Sequence, residues 1–416
     1  MQYDLVIKNA RLFDEDGLKD ILIKDGLIHS ITSDFIDEAK EVIDAAGKVV
    51  TPGFIEPHIH LEKALLFERK PTLLGTLDEA IQVTGQLKKE QEYEDVKNRI
   101  KTVLEMAIKN GTTTLRAHPD VDPIQHLIGV ETLIELKKEY ESLIDIQIVA
   151  FPQEGLIKAP ETFGLMERAI KLGANVVGGC PYNEKSWDDT KLHINAVFDM
   201  AEKYGLDVDM HADFSDDPSD LRFSSAEFIA QETIKRGFQG RVSLGHVTSL
   251  GSIPKEKLNP ILDLLSKADI SIVTLPATDT YLGGRKDEFK QRRGLTPVRE
   301  LQQKGVNVAY SSNNIRNAFT PFGKADMLLI GNMLAHLIQY GTYQEQRKII
   351  DMATINAAKA IGLGNKIALK PGKQADLVIY DCNKLNDLLS DVPTRLWVIK
   401  GGRVTVTTRH ECCIHH

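Results

Sequence analysis

Short β-branched runs alternate with amphipathic helical stretches through the middle of the chain, and the alternation repeats eight times. The runs are Val49–His60, Thr113–His118, Asp145–Pro152, Ala174–Gly178, Leu206–Asp213, Arg241–His246, Ile270–Pro276 and Val306–Ser312. Between them, apolar residues recur at helical spacing over segments such as Glu94–Lys109, Val130–Tyr140, Ile194–Lys203, Ala226–Arg236 and Lys324–Gln339. Eight strand-helix units predict an α/β fold of the (β/α)8 TIM-type barrel class. An open doubly wound sheet would more often carry a glycine-rich fingerprint after its first strand, and no convincing G-x-G-x-x-G stands there.

Outside this region, residues 2–48 and about 368–408 read as short strands punctuated by glycine turns, for example Leu5-Val6-Ile7 and Ala375-Asp376-Leu377-Val378-Ile379-Tyr380. Both ends are therefore expected to pair into a small β domain. The predicted division is residues 1–50 and 366–410 for that domain, 51–365 for the barrel and 411–416 for a tail.

The 416 residues, 42% of them hydrophobic, are enough for one large α/β domain and a smaller one. A formal net charge of −8 argues against general affinity for nucleic acid or anionic membrane, so a small-molecule partner fits better. The first residues lack a basic segment followed by an apolar one, and nowhere do about eighteen apolar residues run together. The expectation is a soluble cytoplasmic protein. Cys180, Cys382, Cys412 and Cys413 show no C-x-x-C spacing, which implies neither a disulfide framework nor a zinc knuckle. The Cys412-Cys413 pair lies in a tail to which no function is assigned.

Catalytic residues of such barrels lie at the carboxyl ends of the strands, and polar residues of this chain fall there. His58 and His60 end the first run, one residue apart, so both imidazoles point to one face and can meet one cation. His211 ends the fifth run, His246 ends the sixth, and Asn313 follows the eighth. Any one of these could be a satisfied core or capping histidine, but their convergence on one mouth predicts a metal site. His118, ending the second run, reads equally well as a further member or as a hydrogen-bonded support.

Several segments carry a family resemblance: Thr51-Pro52-Gly53-Phe54 before His58-x-His60, Phe151-Pro152-Gln153-Glu154-Gly155, His211-Ala212-Asp213, Gly245-His246, Arg292-Arg293-Gly294-Leu295-Thr296 and Pro321-Phe322-Gly323. In combination they resemble the amidohydrolase superfamily, in the branch of cytosine deaminase and N-isopropylammelide isopropyl amidohydrolase. His60-Leu61-Glu62-Lys63 and Asn314-Ile315-Arg316 are more similar to the ammelide enzyme, whereas the Phe151 and Arg292 segments are more similar to cytosine deaminase.

The resemblance implies one divalent metal ion, zinc, iron, manganese or cobalt, held by His58, His60, His211 and the strand-eight position, here Asn313. It implies that His246 orients the attacking hydroxide, that Gln153 binds the edge of a heterocyclic substrate with Lys63 and Asn314, and that Phe151 and Phe319 wall the pocket. The reaction implied is hydrolysis of an exocyclic C–N bond of a pyrimidine- or triazine-like ring, with release of ammonia or an amine. The fourth run, Ala174–Gly178, has no lysine to bridge a second metal.

Two positions depart from that pattern. The strand-eight aspartate and, in the cytosine deaminase family, the glutamate three residues after the strand-five histidine are here Asn313 and Phe214; the ammelide relative also lacks that glutamate. Asparagine can offer a neutral oxygen but cannot carry a proton at neutral pH, and phenylalanine can do neither. Three readings follow: an active hydrolase in which Asp213, His246, Glu62 or Lys63 moves the proton, with Asp213 preferred; a non-catalytic member that binds a heterocycle; and an altered form of an active parent.

Weaker signals remain. His60-Leu61-Glu62 matches the His-x-Glu of cytidine-type zinc deaminases, yet no Pro-Cys-x-x-Cys accompanies it. The basic cluster Lys286, Lys290, Arg292 and Arg293 reads as a solvated loop, and the charged stretch Lys88-Lys89-Glu90 as an exposed helix face. The helix Lys324–Gln339 is long enough to pack against a second subunit.

Overall fold

The computed structural model describes residues 2–35 and 38–415. The N-terminal segment forms β1 (Tyr3–Arg11), β2 (Leu18–Lys24), β3 (Leu27–Thr32) and β4 (Ala39–Asp44), a four-stranded sheet in the order β3-β2-β1-β4. The next strand, β5 (Val50–Pro52), belongs to a second sheet. Barrel strands follow: β6 (Phe54–Ile59), β7 (Thr112–Ala117), β8 (Asp145–Ala150), β9 (Val176–Gly179), β10 (Asp207–Ala212), β11 (Val242–His246), β12 (Ser271–Thr274) and β13 (Asn307–Tyr310). The chain ends in β14 (Leu377–Tyr380), β15 (Arg395–Lys400) and β16 (Arg403–Thr407), which join β5 in the order β16-β15-β14-β5.

Strands β6 to β13 lie side by side in chain order, all parallel. The first and last meet where the His60 N–H donates to the Asn313 carbonyl (2.9 Å) and the Asn313 N–H to the His58 carbonyl (3.2 Å). This closes the predicted (β/α)8 barrel. Every residue of β6, β7, β9, β11 and β12 is buried. Helices cover the outer face and side chains fill the interior, which explains why these strands read as continuous apolar runs rather than alternating ones.

The run Val49–His60 is not one strand. It breaks at Gly53, where a Cβ would stand 2.4 Å from the Thr113 side chain, so the chain passes from the second sheet into the barrel at a point only glycine fits. The two terminal sheets share an apolar core: Leu5, Ile7, Ile21 and Ile23 pack with Val50, Leu377, Ile379 and Ile399. Both chain ends therefore build β structure beside the barrel, in two sheets that share one core.

All five predicted helices are present, with shifted ends. The last runs Met327–Leu337 because the Asp326 side chain accepts the Leu328 and Leu329 N–H groups and starts it there. Further helices, among them Leu77–Lys88, Thr162–Leu172 and Lys255–Lys267, complete the layer. Among the described residues, no helix is long and apolar enough to cross a membrane.

The Leu77–Lys88 helix corrects one expectation. Lys89 and Glu90 are exposed, but Lys88 is buried, with Nζ 2.6 Å from Asp120, 2.8 Å from Asp122 and 3.0 Å from Glu154. Lys88 closes the last turn of its helix onto the barrel mouth, and a charge run carries no sign of such a fixed partner. Lys286, Lys290, Arg292 and Arg293 are exposed, as a solvated loop requires.

Candidate active site

His58 and His60 leave the end of β6 on one face, His211 comes from β10, and His246 ends β11. His211 Nε2 lies 3.0 Å from His58 Nε2 and 2.9 Å from His60 Nε2. One proton on His211 Nε2 can serve only one of those neighbours, so three ring nitrogens crowd together with lone pairs to spare. Burial, reinforced by the neighbouring imidazoles and, for His60, by Lys63, holds all three rings well below the usual histidine range, so they are neutral. Nitrogens bound to one tetrahedral zinc at ~2.0–2.1 Å would stand roughly 3.3 Å apart, close to what is observed.

The surroundings support these rings. His60 Nδ1 lies 2.8 Å from the His118 carbonyl. The His118 ring stacks on His58 with centroids 3.8 Å apart, and its Nε2 lies 3.1 Å from Asp209 Oδ1. Asp209 in turn pairs with Arg116 (2.7 Å). His118 thus stands behind the centre as a support. Phe151 covers His211 with ring centroids 4.2 Å apart.

Asn313 follows β13, and its side-chain oxygen is buried with no hydrogen-bond partner. An orphaned acceptor beside three imidazoles fits a cation. Asp213, His246 and Asn313 all have left-handed backbones, with φ of 53°, 72° and 61°. Such positions turn the chain sharply at the strand ends, and Asn and Asp tolerate them best.

The histidines open into a pocket whose lining comprises His60, His211 and His246 with Lys63, Gln153, Asn313, Asn314 and Phe319. Leu77, Ile81, Tyr182, Phe214 and Thr278 complete it. Lys63 Nζ is held 2.8 Å from Asp120 Oδ1 and 3.4 Å from Gln153 Oε1. It also lies over the Phe151 and Phe319 rings. No Asp or Glu lines this pocket among the described residues.

Two of the acids considered for proton transfer are engaged elsewhere. Asp213 accepts the Ser225 N–H (2.7 Å), the Ser225 hydroxyl (2.7 Å) and the Ala226 N–H (3.0 Å), at the start of the Ala226–Lys235 helix. The left-handed turn at residue 213 swings its carboxylate out of the mouth, and the preference for Asp213 is corrected accordingly. Glu62 accepts the Asp120 N–H (3.2 Å), and burial, opposed by Lys63, pushes its carboxyl up to about 7.

One acid went unnoticed in the sequence. Asp279, in the helix Pro276–Leu282 after β12, places Oδ1 2.6 Å from His246 Nδ1. Burial raises its carboxyl while His246 pulls it back. No short motif marks it, because the pair joins residues 33 positions apart across two strand ends.

A family model described as "Amidohydrolase family" matches residues 65–406. The chain belongs to the amidohydrolase family. This amidohydrolase is 30% identical to the N-isopropylammelide isopropyl amidohydrolase of Pseudomonas sp. (strain ADP), over 97% of each chain. It superimposes on the 5-methylcytosine deaminase of Klebsiella pneumoniae, solved with 5-fluorocytosine, with a TM-score of 0.93, 33% identity and 99% of each chain covered. An adenosine deaminase from Xanthomonas campestris with bound zinc shares the fold at a TM-score of 0.75 and 16% identity, over 100% of this chain and 95% of that one. The predicted family and branch are thereby confirmed, and the protein is a hydrolase acting on C–N bonds.

Proposed function

We propose that this amidohydrolase hydrolyses an exocyclic C–N bond of a pyrimidine- or triazine-like heterocycle and releases ammonia or an amine. The observation that carries this reading is the three-imidazole cluster opening into a pocket lined by Lys63, Gln153, Asn314 and Phe319. His58, His60 and His211 would hold one divalent metal ion, with Asn313 offering a neutral oxygen. When bound, that ion lowers the pKa of a water to about 7 and makes it a nucleophile at neutral pH.

The chain's own residues supply the rest. Lys63 and Gln153 present hydrogen-bond donors to the oxygen- or nitrogen-bearing edge of the ring, so oxo-substituted heterocycles are favoured. Asn314 adds a further polar contact. Phe319 walls the pocket, Phe151 backs the histidines, and Phe214 excludes water beside His246. His246 takes the proton of the attacking water and delivers it to the departing nitrogen.

The absence of a carboxylate from the pocket lining among the described residues favours a second reading, in which the chain binds such a ring without turning it over. Metal content of protein purified without chelators, followed by an ammonia- and amine-release screen over oxo-pyrimidines and triazines, separates the two. About one metal per chain with release supports hydrolysis. Tight binding without release supports the second reading.

A further inference from the structure

Of the three imidazoles that line the pocket, only His246 has a carboxylate partner among the described residues. We propose that Asp279 is the positioning carboxylate of this site, holding His246 as the Nδ1–H tautomer so that Nε2 and its lone pair face the imidazole centre. This deepens the hydrolytic reading and rests on it for its catalytic consequence, but not for the tautomer itself.

Five contacts hold the ring and its carboxylate. His246 Nδ1 lies 2.6 Å from Asp279 Oδ1. The other carboxylate oxygen accepts the Leu275 N–H (3.3 Å), and the Asp279 N–H donates to the Leu275 carbonyl (2.9 Å), so the acid is fastened to its own turn. Phe214 lies parallel to the imidazole, centroids 4.0 Å apart and planes 15° apart, which fixes the ring's plane. The Thr296 hydroxyl donates to the His246 carbonyl (2.5 Å) and holds the backbone.

In the neutral ring, an Nδ1–H given to the carboxylate leaves the lone pair on Nε2. A ring nitrogen of His246 stands within 4.8 Å of those of His58 and His211, so that lone pair is turned to where the reacting water would lie. Asn313 cannot accept a proton, and Phe214 and Asp213 do not offer one to the pocket. Asp279 stands in the helix that follows β12, the strand beside the one that leads to Asn313, and it makes His246 a competent base without lining the pocket itself. The pairing of a buried carboxylate with a histidine that faces the substrate is a general device for fixing tautomer and orientation.

Imidazole nitrogen shifts of metal-free, 15N-histidine-labelled protein test this, with the His246 signals identified by their loss in His246→Gln. The expected pattern is a protonated Nδ1 with a strongly downfield proton and an unprotonated Nε2. Asp279→Asn and Asp279→Ala should abolish it while retaining the metal stoichiometry of the unaltered protein. On any substrate found, Asp279→Asn should lower kcat roughly 10²–10⁴-fold with KM little changed. An Nε2–H tautomer or a doubly protonated ring in the unaltered protein overturns the proposal, as does an unchanged pattern in both variants. Should either variant fail to fold, the spectrum of the unaltered protein still decides. An Nδ1–H tautomer in a protein that releases no amine from any substrate would overturn the hydrolytic reading and leave the tautomer assignment standing.

Discussion

The Phe214 ring lies face to face with the imidazole of His246, centroids 4.0 Å apart and 15° from parallel. Where the family resemblance implies an acid, Phe214 gives that ring a flat apolar support. Phe214 is buried, so Phe214→Ala should cost about 3 kcal/mol in chemical denaturation, through lost transfer and the cavity left behind. It should also broaden the His246 ring resonances, because the imidazole loses the ring stacked on its face. Unchanged stability together with unchanged ring resonances would show that the stacking holds nothing in place.

Asn313 can be given back a charge with little change in shape. Asn313→Asp keeps a residue type that tolerates the left-handed backbone at φ 61°. A carboxylate beside the three neutral imidazoles should tighten divalent metal binding at least about tenfold, measured by competition with a chromogenic chelator. His211→Ala should abolish stoichiometric binding. In the unaltered protein, metal at about 100 times its Kd should raise stability by ~2.7 kcal/mol.

Lys88 joins the Leu77–Lys88 helix to Asp120, Asp122 and Glu154. Lys88→Met leaves buried carboxylates with their shared cation removed, and the expected loss is ~3–5 kcal/mol. Amide hydrogen exchange should accelerate first in that helix, which supplies Leu77 and Ile81 to the pocket. Exchange that accelerates uniformly across the barrel would contradict a local anchor.

Glu184 shapes the acid limb of stability. Burial pushes its carboxyl up, but the His193 ring and the Ile157 and Leu156 N–H groups outweigh this and hold it at about 2, below the ordinary 4.5. The folded chain therefore binds fewer protons at this site than the unfolded chain, and the stabilisation, complete above about pH 4.5, is lost as pH falls toward 2. Melting temperatures across this window should fall less steeply for Glu184→Gln. Glu184→Ala, which strips an acceptor from the Leu156, Ile157 and Lys158 N–H groups and from His193, should cost about 3 kcal/mol at neutral pH.

The barrel was legible because its parallel strands are buried on both faces and spaced by helices, so local composition and global topology agree. His58, His60, His211 and His246 were legible because chain order places each at a strand end, and strand ends converge in a closed barrel. Lys63, Gln153, Asn314 and Phe319 were reached through family motifs, and all four line the pocket. The break at Gly53, the burial of Lys88 and the loss of Asp213 to a helix start were not legible. Each depends on which distant group a side chain meets.

Residue order alone thus determined the strand-helix period, the closing of eight strands into a barrel and the histidines that meet at its mouth, since periodicity and strand direction are local properties. The direction of each charged side chain was decided only in three dimensions. Asp213 and Asp279 are the same residue type close to two strand ends, yet one caps a helix and the other grips His246. A carboxylate takes whichever donors the packed chain brings within about 3 Å, and partners 12 and 33 residues away are set by the fold rather than by their neighbours in sequence.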